Sequence, residues 1–156
     1  PSYLFTYFGR LHGLEDEEIE ERKDVLFNRF GIENFREVKV GQLSTGMKQK
    51  TSIAVSLVHN PDFVIFDEPT NGLDVLTARS VTEYLEELKN EGKTVIVSTH
   101  ILSVVDKLCD KVGIIINGKM KLCDTLENVK KTHPSHDLEE IFFDLIKEED
   151  ELGGIL

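Results

Sequence analysis

The strongest constraint on the fold of this chain is the alternation of short apolar runs with a helical pattern. Phe63–Phe66 and Thr94–Ser98 are apolar almost throughout, which is typical of strands buried on both faces of a sheet. Between them, apolar residues of the segment Val81–Leu88 recur at the spacing of an amphipathic helix, and a third apolar run follows at Lys111–Ile116. Strands that alternate with helices in this way predict an α/β fold with a parallel sheet and right-handed crossovers.

Helical patterns precede and follow this unit. Apolar residues recur in them at helical spacing, and glycine or capping residues stand at their ends. The predicted helices lie between Leu4 and Leu11, between Asp16 and Gly31, from about Gly46 to Asn60 and, after a tight turn at Asn117-Gly118, from Asp137 onward.

Composition and charge limit the class of protein. At 156 residues, with 40% apolar residues, the chain is long enough for one globular core. Its net charge of −11 argues against general nucleic-acid binding, because neutralising phosphates requires a basic surface. Cys109 and Cys123 are too few for a disulfide framework, so we expect small apolar packing residues in a cytoplasmic, reducing setting.

An acidic pair, Asp67-Glu68, directly follows the first apolar run. Ligands of parallel α/β sheets bind beyond the carboxyl ends of the strands, and adjacent acids there are costly unless a cation uses them. This pattern favours a Walker B motif, in which Asp67 holds Mg²⁺ through water and Glu68 orients or deprotonates the attacking water. The alternative is a pair of acids that merely begins a loop.

Two further segments suggest phosphate chemistry. His100 follows the next predicted strand, on the same edge of the sheet, and is a candidate for contacting a γ-phosphate. Ser44 precedes a predicted helix, whose free amides and dipole favour an anion. The alternatives are a surface or core histidine and a simple helix cap.

Together these segments resemble the ABC ATPase family over at least Tyr3–Asp124. Leu43–Met47 is similar to the signature motif Leu-Ser-Gly-Gly-Gln, Phe63–Glu68 to Walker B, Gly72–Asp74 to the D-loop, and His100 to the switch histidine. The resemblance implies a P-loop NTPase-like (RecA-like) parallel sheet, truncated, with an α-helical subdomain at the N-terminus. It also implies three parts: residues 1–45 as the helical subdomain remnant that ends in the signature loop, 46–124 as the C-terminal part of the ATPase core, and 125–156 as a C-terminal helical tail.

The resemblance implies roles for these residues in an ATPase of a transporter. In the family, two such domains pair head to tail, so that Ser44, Thr45 and Gly46 serve the nucleotide of the partner domain. Asp74 is a further expected nucleotide-binding residue, while Asp67, Glu68 and His100 serve the domain's own ATP and Mg²⁺.

The expected partners are a second ABC ATPase domain and a transmembrane permease subunit, with no nucleic acid, at the inner face of the plasma membrane. The variant Leu-Ser-Thr-Gly-Met-Lys-Gln resembles exporters of the sodium-extrusion and drug-resistance type.

The chain departs from the family pattern in two ways. Thr45 replaces a glycine and Met47 replaces the glutamine of the signature. A Walker A motif is not found, because Gly92-Lys93-Thr94 has the right ending but Glu87 stands where the first glycine is required. We therefore expect the C-terminal portion of the domain, inactive alone.

Two alternatives stay open. The chain is a degenerate interaction module, or it belongs to a soluble ABC ATPase that is not linked to transport. His133 and His136 have the spacing of a metal pair, but a suitable third ligand is lacking nearby and we expect no metal there.

Overall fold

The computed structural model describes the backbone of residues 1–132 and 137–153 and the side chains of residues 1–132 and 137–148. The described elements follow the chain as helices and strands with two short 3-10 turns, Glu33–Phe35 and Val40–Gln42. Their bounds are α1 Ser2–Leu11, α2 Asp16–Phe30, α3 Thr45–Ser56, β1 Phe63–Asp67, α4 Val75–Asn90, β2 Thr94–Ser98, α5 Leu102–Leu108, β3 Lys111–Ile116, β4 Lys119–Thr125, α6 Leu126–Thr132 and α7 Leu138–Gly153.

The chain divides into two compact units, Pro1–Ser98 and Thr99–Leu156. The three-part division predicted from the sequence is a division by role and stays a prediction. His133 and His136 lie outside the described residues, as do the last residues of the predicted helical tail.

The first unit combines four α-helices with the parallel strand pair. The predicted helix between Asp16 and Gly31 is confirmed, and Gly31 ends it in the left-handed conformation (φ 65°) that glycine adopts at low cost. Helices α1, α2 and α3 pack together, and α4 lies against β2. The largest fully buried side chains of this unit are Phe5, Phe27, Phe30, Ile19, Leu26, Ile32, Leu57, Leu85, Val58 and Val81.

Strands β1 and β2 are parallel and in register from Phe63 opposite Thr94 to Asp67 opposite Ser98. The predicted α/β class with a parallel sheet is confirmed. The expectation that these strands are buried on both faces is wrong, however, since Val64 is buried while Phe63 and Ile65 are 53% and 66% exposed. Successive side chains of a strand point to opposite faces, so one face of this sheet packs on the unit and the other is open among the described residues.

The second unit contains the antiparallel pair β3–β4. Asn117 and Gly118 both have positive φ (50° and 74°), as a two-residue hairpin turn requires, and the predicted tight turn is confirmed. Lys111–Ile116 was expected to extend the parallel sheet; instead β3 pairs with β4 in a sheet of its own, because this turn returns the chain directly alongside it.

Helices α5, α6 and α7 cover this hairpin with apolar side chains. The core cluster consists of Val105, Ile114, Ile116, Leu126, Val129, Leu138 and Ile141. The predicted capping box of α7 is present, because the Glu140 amide donates to Asp137 Oδ1 (2.9 Å) and the Asp137 amide donates to Glu140 Oε2 (3.3 Å). Cys109 packs against the cluster as expected, whereas Cys123 is exposed, so its predicted packing role is wrong.

Within the described part of the chain, no helix combines the length and the apolar character that crossing a bilayer requires.

Candidate functional site

The predicted acidic pair lies at the carboxyl end of the parallel strand pair. Asp67 is the last residue of β1, and one of its carboxylate oxygens accepts a hydrogen bond from the Ser98 hydroxyl at the end of β2. The amide of Glu68 donates to the carbonyl of Ser98 (3.0 Å), which continues the strand pairing by one residue. The sheet therefore fixes the backbone of both acids at the edge where parallel α/β folds bind ligands.

Glu68 itself has a left-handed backbone conformation, with φ of 46°. This conformation costs a non-glycine residue about 1–2 kcal/mol, so the surrounding bonds must hold it in place. They include the bond to Ser98 and a turn in which the Asn71 amide donates to the Glu68 carbonyl (3.1 Å). A strained residue that is held at the edge of a sheet, next to a second carboxylate, is consistent with a functional position.

The segment Glu68–Leu73, which we call the β1–α4 loop, turns tightly toward α4. The Leu73 amide donates to the Thr70 carbonyl (3.3 Å), and Gly72 has a φ of 73°. The Thr70 side chain is buried, and its hydroxyl oxygen lacks a hydrogen-bond partner among the described residues. Mg²⁺ prefers oxygen ligands such as carboxylates and hydroxyls, which it binds directly or through its waters. Asp67 and its neighbours therefore fit this ion.

The predicted signature segment, Leu43–Met47, forms the beginning of α3. Ser44 caps the helix, because its hydroxyl accepts from the Met47 amide (3.3 Å), and the predicted capping role is confirmed. Ser44 and Thr45 are exposed, so an anion has access to the helix end. Contact of Ser44, Thr45 and Gly46 with a partner's nucleotide stays a prediction.

Gly46 has a structural role that sequence reasoning missed. A Cβ atom at this position would lie 2.9 Å from the carbonyl oxygen of Gly72, closer than side-chain carbons approach backbone oxygens. The first turn of α3 therefore packs backbone to backbone against the β1–α4 loop. A glycine in each segment is the signal that would have indicated this close approach.

Asp74 caps α4 in this structure. Its Oδ1 accepts from the Thr77 amide (3.0 Å), while its Oδ2 accepts from the Thr77 hydroxyl (2.7 Å) and from Lys50 Nζ (3.1 Å). The bonds from Thr77 and then Lys50 hold the pKa of Asp74 well below its usual range. The spacing of Asp74 and Thr77 signals the cap, but nothing in the sequence pairs Lys50 with Asp74. Nucleotide binding by Asp74 stays a prediction.

His100 belongs to the second compact unit, directly after the end of β2. Its side chain is exposed, and the neighbouring Thr99 hydroxyl accepts from the Ile101 amide (3.1 Å) at the beginning of α5. The predicted role of His100 beside Asp67 and Glu68 remains a prediction.

Comparisons with known proteins identify similar sequences and a similar fold. The family described as "AAA domain, putative AbiEii toxin, Type IV TA system" matches residues 5–106. The chain is 43% identical over 136 residues to the ABC transporter ATP-binding protein NatA of Bacillus subtilis, covering 87% of this chain and 55% of that protein.

Two solved structures share the fold. "Structure of ATP binding subunit of ABC transporter" matches with a TM-score of 0.81 and 31% identity, over 91% of this chain and 62% of that one. "Dimeric structure of a post-hydrolysis state of the ATP-binding cassette MJ0796 bound to ADP and Pi" matches with a TM-score of 0.64 and 28% identity, over 72% of this chain and 49% of that one. The chain spans about half the length of the curated relatives it matches.

Proposed function

Because the chain belongs to the ABC ATPase family, we propose that it carries the Walker B pair and the signature segment of a transport ATPase. The observation that supports this proposal most directly is the placement of Asp67 and Glu68. Both acids lie at the carboxyl edge of a parallel strand pair. The Ser98 hydroxyl donates a hydrogen bond to the Asp67 carboxylate, and the Glu68 amide donates one to the Ser98 carbonyl.

In this proposal the two acids have different tasks. Asp67, whose carboxylate is oriented by the Ser98 hydroxyl, holds Mg²⁺ through water. Glu68, held by its strained backbone, orients or deprotonates the water that attacks the γ-phosphate. When bound, Mg²⁺ supplies positive charge that neutralises the phosphate oxygens. His100, at the beginning of the second unit, contacts the γ-phosphate.

The signature segment serves a second nucleotide, which a partner ATPase domain binds. Ser44, Thr45 and Gly46 lie at the beginning of α3, where free amides and the helix dipole favour an anion. Asp74 positions the adjacent loop at the same interface. The dimeric cassette that the chain resembles was solved with ADP and Pi, which supports a pair of domains around nucleotide.

The remaining partner is a transmembrane permease subunit, docked on α1 and α2 at the cytoplasmic face of the plasma membrane. The name of the Bacillus subtilis relative supports a transporter. The signature variant with Thr45 and Met47 favours export. The net charge of −11 makes nucleic acid an unsuitable partner.

Glu68→Gln provides the test. The variant is made in a longer polypeptide, in which a segment with the Walker A motif of the family precedes this chain. We call this polypeptide the extended cassette. We expect ATP hydrolysis to fall by about 10²–10⁴-fold, because the amide keeps the shape of the side chain but is not a base. ATP binding, measured by calorimetry, should be retained. Glu91→Gln, the same change at the exposed end of α4, is the matched control and should hydrolyse ATP normally.

A second variant tests the signature segment. Ser44→Arg places a bulky side chain at the exposed beginning of α3, so in the Glu68→Gln background it should block ATP-dependent dimerisation while ATP binding persists. Equal dimerisation of the single and double variants would reduce Ser44 to a helix cap. Normal hydrolysis by Glu68→Gln would overturn the proposed role of the Walker B pair. Absence of hydrolysis in the unsubstituted extended cassette would favour a non-hydrolysing interaction module.

A further inference from the structure

One face of helix α3 contacts the β1–α4 loop at Pro69 and Gly72, and also Asp74, the residue that follows the loop. Gly46, Gln49 and Lys50 are spaced at i, i+3 and i+4, so they share this face. Gly46 packs against the Gly72 carbonyl, and Gln49 Nε2 donates to the carbonyl of Pro69 (3.5 Å). Lys50 makes the charged contact of this face, with Nζ 3.1 Å from Asp74 Oδ2.

The environment of Lys50 makes this ion pair stronger than an ordinary surface pair. Its side chain is only 15% exposed, whereas that of Asp74 is 58% exposed. Its ammonium group also lies beside Gly31, which ends α2, so it stands near the negative end of that helix. Lys50 thus connects the middle of α3 to the ends of two other helices, α2 and α4, because Asp74 is at the same time the cap of α4.

These contacts join two segments that, in the proposed function, serve different nucleotides. Ser44–Gly46 lies one turn before Lys50 on α3 and faces the nucleotide of the partner domain. Glu68 begins the loop that ends next to Asp74 and faces the domain's own nucleotide. A shift of α3 would therefore move the β1–α4 loop, unless Lys50 released Asp74.

We propose that Lys50 is a positioning residue that holds Asp74 against α3 and thereby keeps the signature segment and the β1–α4 loop at a fixed separation. This fixed separation couples the two nucleotide sites of a head-to-tail pair. The inference rests on the proposed function, since the tasks of the two segments come from it. Lys50 touches neither the nucleotide nor the attacking water; it acts through Asp74.

Lys50→Met tests this role, because it keeps the long apolar stem and removes the charge. In the extended cassette we expect kcat for ATP hydrolysis to fall by roughly 10–100-fold, the range for a reacting group that is misplaced by about an ångström. The KM for ATP should change little, since Lys50 does not touch the nucleotide. Lys50→Arg should restore most of the rate. Lys39→Met, the same change at an exposed lysine outside the signature segment and outside α3, is the matched control and should leave kcat unchanged.

A double-mutant cycle separates positioning from general stability. Asp74→Asn keeps a good helix cap for α4 but removes the charge that Lys50 holds. If Lys50 acts through Asp74, Lys50→Met and Asp74→Asn together should lower kcat no more than either change alone. Multiplied losses, or an equal loss in Lys39→Met, would overturn the proposal.

The chain itself provides a measurement that is independent of ATP. The ¹³C signal of the Asp74 carboxyl, followed by NMR against pH, should titrate at a higher pH in Lys50→Met, because the ammonium group favours the carboxylate. An unchanged titration would mean that the contact does not exist in solution. If instead Glu68→Gln fails to slow hydrolysis, the proposed function is wrong; if it does and Lys50→Met hydrolyses ATP at the wild-type rate, only the role of Lys50 is wrong.

Discussion

Gly46→Ala is the sharpest test of how α3 meets the β1–α4 loop. The added Cβ would lie 2.9 Å from the carbonyl oxygen of Gly72. This oxygen belongs to the backbone, so it cannot rotate away as a flexible side chain would. The next residues hold it in place, since Leu73 bonds back to Thr70 and Asp74 caps α4.

Two effects of opposite sign determine the size of the change. In a helix, alanine is favoured over glycine by about 1 kcal/mol in interior positions, and by less in the first turn, where Gly46 lies. Forcing an extra carbon into a closely packed contact costs about 1–3 kcal/mol. Because the contact is with anchored backbone, we expect the steric cost to exceed the gain. The free energy of unfolding should fall by about 1–2 kcal/mol.

Gly41→Ala is the matched control. An added Cβ at Gly41 meets nothing within 4 Å, and its φ is not in the left-handed region. The substitution should be neutral or stabilise the chain by about 0.4–1 kcal/mol, because it restricts the unfolded chain. Urea unfolding followed by circular dichroism compares the two variants with the parent. If Gly46→Ala is as stable as Gly41→Ala, the close approach of α3 to Gly72 is absent in solution.

Two further predictions concern unit 1. His59 stacks on His12 with ring centroids 3.7 Å apart, and burial, then the nearby positive charges, lowers the pKa of His59. Because the unfolded histidine binds a proton at a higher pH than the folded one, the free energy of unfolding should fall as pH drops below about 6.5, the ordinary histidine pKa. His59→Phe should weaken this pH dependence. Chemical unfolding at several pH values measures both effects. Phe63, Ile65 and Ile96 are about half exposed or more on one sheet, so the chain should self-associate, and Ile65→Thr should reduce the association seen by analytical ultracentrifugation. A monodisperse monomer of the unsubstituted chain would contradict this last expectation.

Local patterns predicted the helices and the parallel pair because their signals lie within single segments. Gly31, the Asn117-Gly118 turn and the Asp137 cap act through their own backbone, and each stands where its chemistry indicates. The placement of β3 was mispredicted because the sequence predicts its hairpin with β4 but does not show whether β3 also pairs with the more distant strands β1 and β2. An apolar run such as Lys111–Ile116 fits a parallel or an antiparallel neighbour equally well.

The candidate site was predictable to the same extent. Asp67, Glu68 and Ser44 could be found because motif order and strand ends are visible in the sequence. The contact of Lys50 with Asp74 could not be found, because it joins positions on different elements and depends on the rotation of α3. The left-handed backbone of Glu68 was equally hidden, since glutamate carries no preference for that conformation.

The choice of glutamate at position 68 is best explained by its carboxylate. Among the described residues, the other non-glycine positions with positive φ are Asn60 and Asn117, and asparagine tolerates the left-handed region because its side chain bonds locally. Glutamate is not among the residues that adopt this region readily, and a glycine at this position would relieve the strain. The backbone therefore argues for replacing Glu68, while the neighbouring Asp67 adds a second negative charge that argues the same way. A residue that both backbone strain and local charge disfavour is best explained by what its side chain does, and a carboxylate at this position suits a base for the attacking water.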